Sequence, residues 1–529
     1  MNVPRVDLPD RFNVATHFVD RNLVEGRGAR TALLCEGKAY TYQEVADAVN
    51  RFGNALRSLK VEMENRVALL CLDSPEFVAA FFGAIKIGAV PIPMNTMLRP
   101  ADYEYMLQDS RAKVLVVHEA LWEPLRAIRD RFRHLRQIVV VGQAADGLVS
   151  YDELVRSQPP SCEAAETSRD DVAFWLYSSG STGFPKGAVH LHHDMVYSTE
   201  LYARPILGIQ TQDITFSAAK LFFAYGLGNN LYFPFSVGAT AVLHPGRPVP
   251  DKMFEVLATC RPSIFYGVPT LYAAMLQMTD AEENPGGGGG PARLEQALKS
   301  VRICVSAGES LPAPIFHRWK EAFGLEILDG IGSTELLHIF ISNRIGEVRP
   351  GSSGKIVPGY EARIVDEESR TLPQGEVGNL LIKGDSAAAH YWNKHLKTKE
   401  TMLGEWIKTG DKYYQDPDGY FWYCGRSDDM LKVGGIWVSP VEVENALIGH
   451  PAVLECAVVG ALDTDELTKP KAYVVLKKGH QASEEMAERL KTYVKETIAH
   501  YKYPRWVEFI PELPKTATGK IQRFRLRGA

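Results

Sequence analysis

The sequence predicts an α/β protein: a large N-terminal domain with mixed and parallel sheets flanked by helices, then a small α+β C-terminal domain. Three observations lead there. Short apolar runs alternate with helical segments through the first half, a glycine-rich stretch interrupts without ending that pattern, and the texture changes near Asp428. At 529 residues the chain is also too long for one ordinary core.

Arg66–Leu72 (RVALLCL) is a short apolar run of the kind buried in a parallel sheet. Ser74 then caps a helix, with Pro75 at its first position and Gly88 after its last turn. The chain re-enters an apolar segment at Ala89–Pro93, which completes a βαβ unit. Val114–Val117 and Ile138–Val141 read as further strands. Asn284–Pro291 (NPGGGGGP) can hold neither helix nor strand and reads as a surface loop. Ser300–Val305 resumes as a buried strand, so the loop is an insertion within one domain. After Asp428 come a helix (Pro440–Gly449), two strands (Val453–Val459 and Lys471–Leu476) and an amphipathic helix (Ser483–Ala499). The expected division is therefore 1–427 and 428–529.

Composition narrows the function. The chain is 45% hydrophobic and 23% charged with a net charge of −5, which indicates neither disorder nor bulk binding to nucleic acid or anionic membrane. The seven cysteines lie far apart and form no C-x-x-C pair, which fits a reducing compartment. Met1 to Asp20 has no apolar core and does not read as a signal peptide. The longest apolar stretches, such as Phe77–Ile85, fall short of a bilayer span. A cytoplasmic protein is expected, and the sequence leaves a homodimer open.

Tyr177–Gly187 (YSSGSTGFPKG), directly after the apolar run Val172–Leu176, carries the most chemistry. Backbone and hydroxyl donors of Ser178, Ser179, Gly180, Ser181, Thr182 and Gly183 can close around phosphate oxygens, and Lys186 adds a positive charge. It is not a G-x-x-x-x-G-K-[ST] loop, because no hydroxyl follows the lysine. A polar linker could share this composition, but not the strand before it and the lysine inside it. Further on stand SAGE (Ser306–Glu309), DGIGSTE (Asp329–Glu335), KTGD (Lys408–Asp411), GRSDDMLKVGGIWV (Gly425–Val438) and KTATGKIQ (Lys515–Gln522).

In this order the motifs resemble the adenylate-forming superfamily of acyl-CoA synthetases, adenylation domains and luciferases, over nearly the whole chain. Several segments look closely similar to benzoate–CoA ligases. The resemblance implies ATP, Mg²⁺ and coenzyme A as cofactors and a small aromatic carboxylic acid as partner. It places ATP against the phosphate loop, Ala307, Gly308 and Glu309, and the turn of Asp329, Gly330 and Ile331. Thr334 would contact phosphate, Glu335 would reach Mg²⁺, Asp411 would take the ribose hydroxyls, and Arg426 would lie near ribose and phosphates. It further implies a hinge at Asp428 about which a mobile small domain rotates between two half-reactions. Lys520 would serve adenylation. Lys432, with Gly434 and Gly435 along the pantetheine, would serve thioester formation.

For the acid, Lys220–Asn229 (KLFFAYGLGN) is aromatic and lacks the aspartate that amino-acid-activating relatives place there. Phe223, Ala224, Tyr225 and Gly226 are expected to form an apolar wall with one polar tip, joined by Tyr266, Gly332, His338 and Ile339. Phe222 is assigned to the core. The bulk of His338 and Ile339 favours a short, flat acid. His190, His192 and His193 read as a strand end and helix start beside the phosphate loop, without acidic or cysteine partners in sequence. The expected reaction is benzoate, or a substituted benzoate, with ATP and CoA giving the CoA thioester, AMP and pyrophosphate. A medium-chain fatty-acid or hydroxycinnamate ligase, a carrier-protein loader, a luciferase-like oxygenase and a non-catalytic binder are the competing readings.

Overall fold

The computed structural model describes residues 5–144, 147–178, 185–282, 291–427, 429–433, 436–463, 467–515 and 521–527. Among these, the first βαβ unit forms as expected. Strand Arg66–Leu70 pairs in parallel with Val90–Pro93, and helix Pro75–Lys86 connects them. Ser74 has the extended N-cap backbone, yet its hydroxyl is buried and makes no capping bond. Ten buried residues along the helix hold it instead, so burial replaces the expected cap. Gly88 ends the turn with φ +76°, a conformation that suits glycine. Val114–His118, Gln137–Val141 and Val149–Ser150 extend the same sheet in parallel on the other side of Arg66–Leu70.

A second, nine-stranded sheet positions the site. At its centre Ile214–Ser217, Ile264–Gly267, Ile303–Ser306 and Ile327–Gly332 lie side by side, each parallel to the next. Its edges turn antiparallel, through Ile339–Ser342 and Lys355–Ile356 at one end and Lys38–Thr41 at the other. The central strands are buried on both faces, which accounts for their continuous apolar sequences. Helices Pro269–Glu282 and Pro291–Leu298 flank the glycine-rich stretch, whose residues 283–290 lie outside the described set.

An antiparallel sheet of Glu361–Val365, Gly378–Lys383, Trp406–Gln415 and Phe421–Arg426 follows. The small C-terminal domain then pairs Val453–Leu462 with Thr468–Leu476, and the latter with Trp506–Phe509. Its two strands are longer than the sequence suggested because they share one continuous antiparallel ladder. Helix Glu484–Thr497 starts at Ser483, whose hydroxyl accepts the Met486 N–H. Leu431, Val438, Val443, Val458, Val474 and Leu490 share a cluster drawn entirely from residues after 430. That gives this domain its own core.

Candidate active site

The four central parallel strands run the same way, so their carboxyl ends line one edge. Behind Ser217 comes Lys220–Gly226; behind Gly267 comes Pro269; behind Ser306 comes Ala307–Glu309; and behind Gly332 comes Thr334–Glu335. Ligands of open α/β sheets bind at that edge. Segments scattered over more than a hundred residues of sequence are thereby brought together.

The described ends of the phosphate motif lie on two paired strands. Val172–Ser178 and Lys186–Leu191 pair antiparallel with Ser178 opposite Lys186, so Lys186 opens a strand instead of sitting within a loop. The pairing of Tyr177 with Gly187 shows why: the motif's outer residues belong to the ladder. Ser179, Gly180, Ser181, Thr182 and Gly183 lie outside the described residues. At the base of the hairpin, the Tyr391 hydroxyl donates to Glu335 Oε1 at 2.6 Å and the Ser178 hydroxyl reaches the same oxygen at 3.4 Å. Lys186 Nζ donates to the Tyr391 hydroxyl at 3.4 Å and stands 4.5 Å over its ring. Burial lowers the Lys186 pKa, and the Glu335 carboxylate opposes that shift.

Tyr391 escaped the sequence reading. It lies on the two-residue strand His390–Tyr391, which pairs with the phosphate hairpin far away in sequence. The histidines need a correction too. His190 and His193 do have an acidic partner: His190 Nδ1 is 2.7 Å from Asp194 Oδ2, and His193 Nε2 is 3.0 Å from Asp194 Oδ1. Asp194 stands four residues after His190 and next to His193, where the chain turns from strand to helix. Among the described residues no group of three His, Cys, Asp or Glu could hold a metal ion. Mg²⁺ takes one or two carboxylates and leaves its other positions to phosphates and water, so the Glu335 carboxylate alone is compatible with it.

The DGIGSTE segment is strand and then a single 3₁₀ turn: Ile327–Gly332 followed by Thr334–Leu336. Asp329 is buried. Its Oδ2 accepts the Leu311 N–H at 3.2 Å and its carbonyl accepts both the backbone and side-chain N–H of Asn343. Burial pushes its carboxyl up to about 8. Gly330 and Ile331 pair with Ser342 and Ile341 across the ladder. At Gly332 a Cβ would stand 2.6 Å from the His338 carbonyl oxygen, so the glycine is required by the strand contact itself.

Asp411 and Arg426 face each other across two antiparallel strands, and Arg426 Nη1 donates to Asp411 Oδ1 at 3.1 Å and to the Thr409 carbonyl at 3.2 Å. After Ser306, Ala307 is buried, Gly308 turns with φ +95°, and Glu309 Oε1 accepts the Ile521 N–H at 3.2 Å. This last bond links the C-terminal segment to the large domain at the residue immediately following Lys520. Lys520, Asp428, Gly434 and Gly435, and the Lys432 side chain, lie outside the described residues. The Lys432 backbone pairs with Trp437 in the hairpin Leu431–Val433 and Ile436–Val438.

The residues expected to form the acid wall are mostly buried and aromatic. The polar tip expected of Tyr225 is spent: its hydroxyl lies 3.3 Å from the carbonyl oxygens of both Gly267 and Val305. Ala224 and Gly226 are buried in the short helix Ala224–Leu227, and a Cβ on Gly226 would meet the Lys220 carbonyl oxygen at 2.2 Å. Phe222 is core, as expected. Tyr266 is fully buried, edge-on to Tyr225 at 6.2 Å. His338 Nε2 faces two acceptors, Asn229 Oδ1 at 3.1 Å and the Tyr225 carbonyl at 3.3 Å, so that nitrogen carries the proton. Burial pulls the His338 imidazole down to about 3, which keeps it neutral. The rings of Phe233, Tyr202 and Tyr225 surround it at 4.5, 5.3 and 5.6 Å, and Ile339 packs beside it in a buried strand. Asn229, which fixes the His338 tautomer, gave no signal in sequence beyond its place in a helix start.

Comparison with known proteins agrees with this geometry. The chain is 52% identical to the benzoate–CoA ligase of Thauera aromatica over 99% of its own length and 98% of that protein's. Its structure superposes with a TM-score of 0.92 on the anthranilate CoA ligase AuaEII in complex with anthranoyl-AMP, at 48% identity and covering 98% and 97% of the two chains. A benzoate CoA ligase from Burkholderia xenovorans LB400 matches with a TM-score of 0.88 and 49% identity, covering 98% and 100%. Residues 20–392 match the model for AMP-binding enzymes and residues 442–520 that for the C-terminal domain of the same enzymes, so the chain belongs to the AMP-binding enzyme family.

Proposed function

We propose that the protein is an AMP-forming acid–CoA ligase whose acid is benzoate or a substituted benzoate. The observation that carries this reading is the edge of the central sheet, where aromatic side chains follow the strand ends and Glu335 accepts from Ser178 and Tyr391 of a separate three-stranded sheet, with Lys186 on Tyr391. A carboxylate lying along that edge would have its ring against Tyr225, Tyr266 and His338 and its oxygens toward these polar groups. Its attack on the α-phosphorus of ATP releases pyrophosphate and leaves an acyl-adenylate. The CoA thiol then displaces AMP, losing its proton as the thioester forms.

Each residue has a task in this scheme. Lys186 and the phosphate hairpin hold the triphosphate, Thr334 a phosphate oxygen, and Asp411 with Arg426 the ribose. Glu335 would hold Mg²⁺, which offsets the repulsion between carboxylate and triphosphate. Lys520 bridges carboxylate and phosphate oxygens and neutralises charge as the bond forms. The Ile521–Glu309 hydrogen bond supports that role, because it ties the segment bearing Lys520 to the turn that follows the central strand Ile303–Ser306. We assign the domain boundary and pivot to Asp428, between the core that ends at Phe421 and the one that begins at Leu431. Rotation there would exchange Lys520 for Lys432 and the Gly434–Gly435 pair. A reducing, cytoplasmic setting is supported by seven free cysteines. No described helix is long and apolar enough to cross a membrane.

A small flat acid is favoured because His338 cannot swing aside. Three rings and two hydrogen bonds hold it where a longer acyl chain would need space. The test is CoA-dependent AMP release with benzoate, 2-aminobenzoate, 4-hydroxybenzoate, a hydroxycinnamate and octanoate in parallel. Benzoate or one of its simple derivatives is expected to lead by tenfold or more, about 1.4 kcal/mol of transition-state discrimination. Octanoate or the hydroxycinnamate leading would overturn the acid assignment. AMP release without any need for CoA would overturn the ligase.

A further inference from the structure

His190 belongs to none of the roles above, and it is one of the most tightly constrained polar side chains in the large domain. It is fully buried on the strand that leaves the phosphate hairpin. Its Nδ1 is 2.7 Å from Asp194 Oδ2, and Asp194 is fully buried as well. Its Nε2 is 2.8 Å from the Thr334 carbonyl oxygen, which can only accept, so this nitrogen donates. The ring also stacks on Phe174 with centroids 5.1 Å apart and 17° between planes. A fold that needed only to fill this space would use an apolar side chain, because a buried polar pair carries a desolvation cost.

The Thr334 carbonyl is half of the peptide group whose N–H belongs to Glu335. Holding that oxygen fixes the plane from which the Glu335 side chain departs. On the far side the Glu335 carbonyl accepts the Ala388 N–H at 2.7 Å, so the backbone is gripped before and after the carboxylate. Two residues on, Leu337 adopts φ +65° and ψ −38°, a strained conformation for a side-chain-bearing residue. Such a turn keeps its shape only when its surroundings enforce it.

We propose that His190, oriented by Asp194, is a positioning residue for adenylation: it holds the Thr334–Glu335 peptide to the strand that carries the phosphate hairpin. The proposal rests on the ligase reading above. It predicts a defect confined to the half-reaction that uses MgATP. His190→Asn keeps a donor near the Nδ1 position and loses the one that reaches Thr334; His190→Gln places an N–H close to the lost Nε2. The half-saturating MgATP concentration for acid-dependent pyrophosphate exchange is measured with the leading acid of the panel. Thioester formation is measured separately from supplied acyl-adenylate and CoA. His190→Asn is expected to raise half-saturating MgATP at least tenfold and leave thioester formation within twofold, and His190→Gln to recover most of the difference. Asp194→Asn, which keeps side-chain volume, is expected to show a smaller rise and decides the matter if His190→Asn does not fold. Parallel loss of both half-reactions, or unchanged MgATP dependence in the folded variants, would overturn the proposal. Absence of acid-dependent exchange in the unaltered protein would instead overturn the ligase reading.

Discussion

The two ends of the candidate site are built in opposite ways. At the phosphate end polar side chains meet one another directly: Lys186 reaches Tyr391, Tyr391 reaches Glu335, and Ser178 reaches the same carboxylate. At the end expected to take the acid, two of the polar groups are held by the protein itself. The Tyr225 hydroxyl faces strand-end carbonyls, and the protonated nitrogen of His338 faces Asn229 and a backbone oxygen. One end offers charged and polar groups; the other offers a shape, fixed in part by hydrogen bonds within the protein. Substitutions at the phosphate end should therefore act on the chemistry, and those at the acid end on stability and fit.

The largest expected effect comes from the two lysines assigned to separate half-reactions. Lys520→Ala should lower adenylation by about 10²–10³-fold, the usual scale for losing one transition-state contact. Thioester formation from supplied benzoyl-adenylate should be spared. Lys432→Ala should do the reverse. Rapid-quench assays of the two steps decide this, and equal losses in either variant would remove the two-pose scheme.

Next in size is Tyr391→Phe. A hydrogen bond to a charged group contributes about 1.5–3 kcal/mol, so kcat/KM for MgATP should fall by roughly 10–100-fold. The Mg²⁺ requirement should rise with it while KM for the acid stays constant. A change in acid KM alone would place Tyr391 at the wrong end of the site.

The contrast also explains what could be read from sequence. The phosphate end announces itself through backbone-driven motifs, because glycines, hydroxyls and one lysine must stand close together along the chain to surround an anion. The parallel strands were legible from their apolar runs, and the small domain from its change of texture. Tyr391 and the His190–Asp194–Thr334 contact were not legible, since they depend on pairing between strands some two hundred residues apart or on a carbonyl that any residue could supply. At the acid end the residue types were legible and their orientations were not. Whether a tyrosine hydroxyl meets ligand or backbone is settled by strand ends such as Gly267 and Val305, far from it in sequence.

A subtler effect belongs to the buried groups that frame the acid end. Asp329 has its pKa raised to about 8 by burial, so it favours folding in its protonated form. Its contribution is complete below about pH 4, where the unfolded carboxyl is also protonated, and is lost as pH rises towards 8. His338, pulled down to about 3, has the opposite sign: its contribution is complete above about pH 6.5 and lost as pH falls towards 3. Urea midpoints measured across that range should therefore fall on both sides. Asp329→Asn should flatten the decline between about pH 6.5 and 8, where His338 no longer opposes it, and an unchanged slope there would show that the carboxyl ionises freely in the fold.

The smallest effect is expected of Tyr225→Phe, and it separates the two building plans most sharply. If the hydroxyl served the substrate, its removal would raise KM for benzoate and leave stability alone. The geometry predicts the converse, because the hydroxyl lies 3.3 Å from the carbonyl oxygens of both Gly267 and Val305. Losing it should reduce stability by about 0.5–1.5 kcal/mol, read from the denaturant midpoint at constant slope. The ring remains, so KM for benzoate should stay within about twofold. A large rise in KM at unchanged stability would mean that the tyrosine turns towards the acid when it binds, and that the acid end, like the phosphate end, recognises its ligand by direct polar contact.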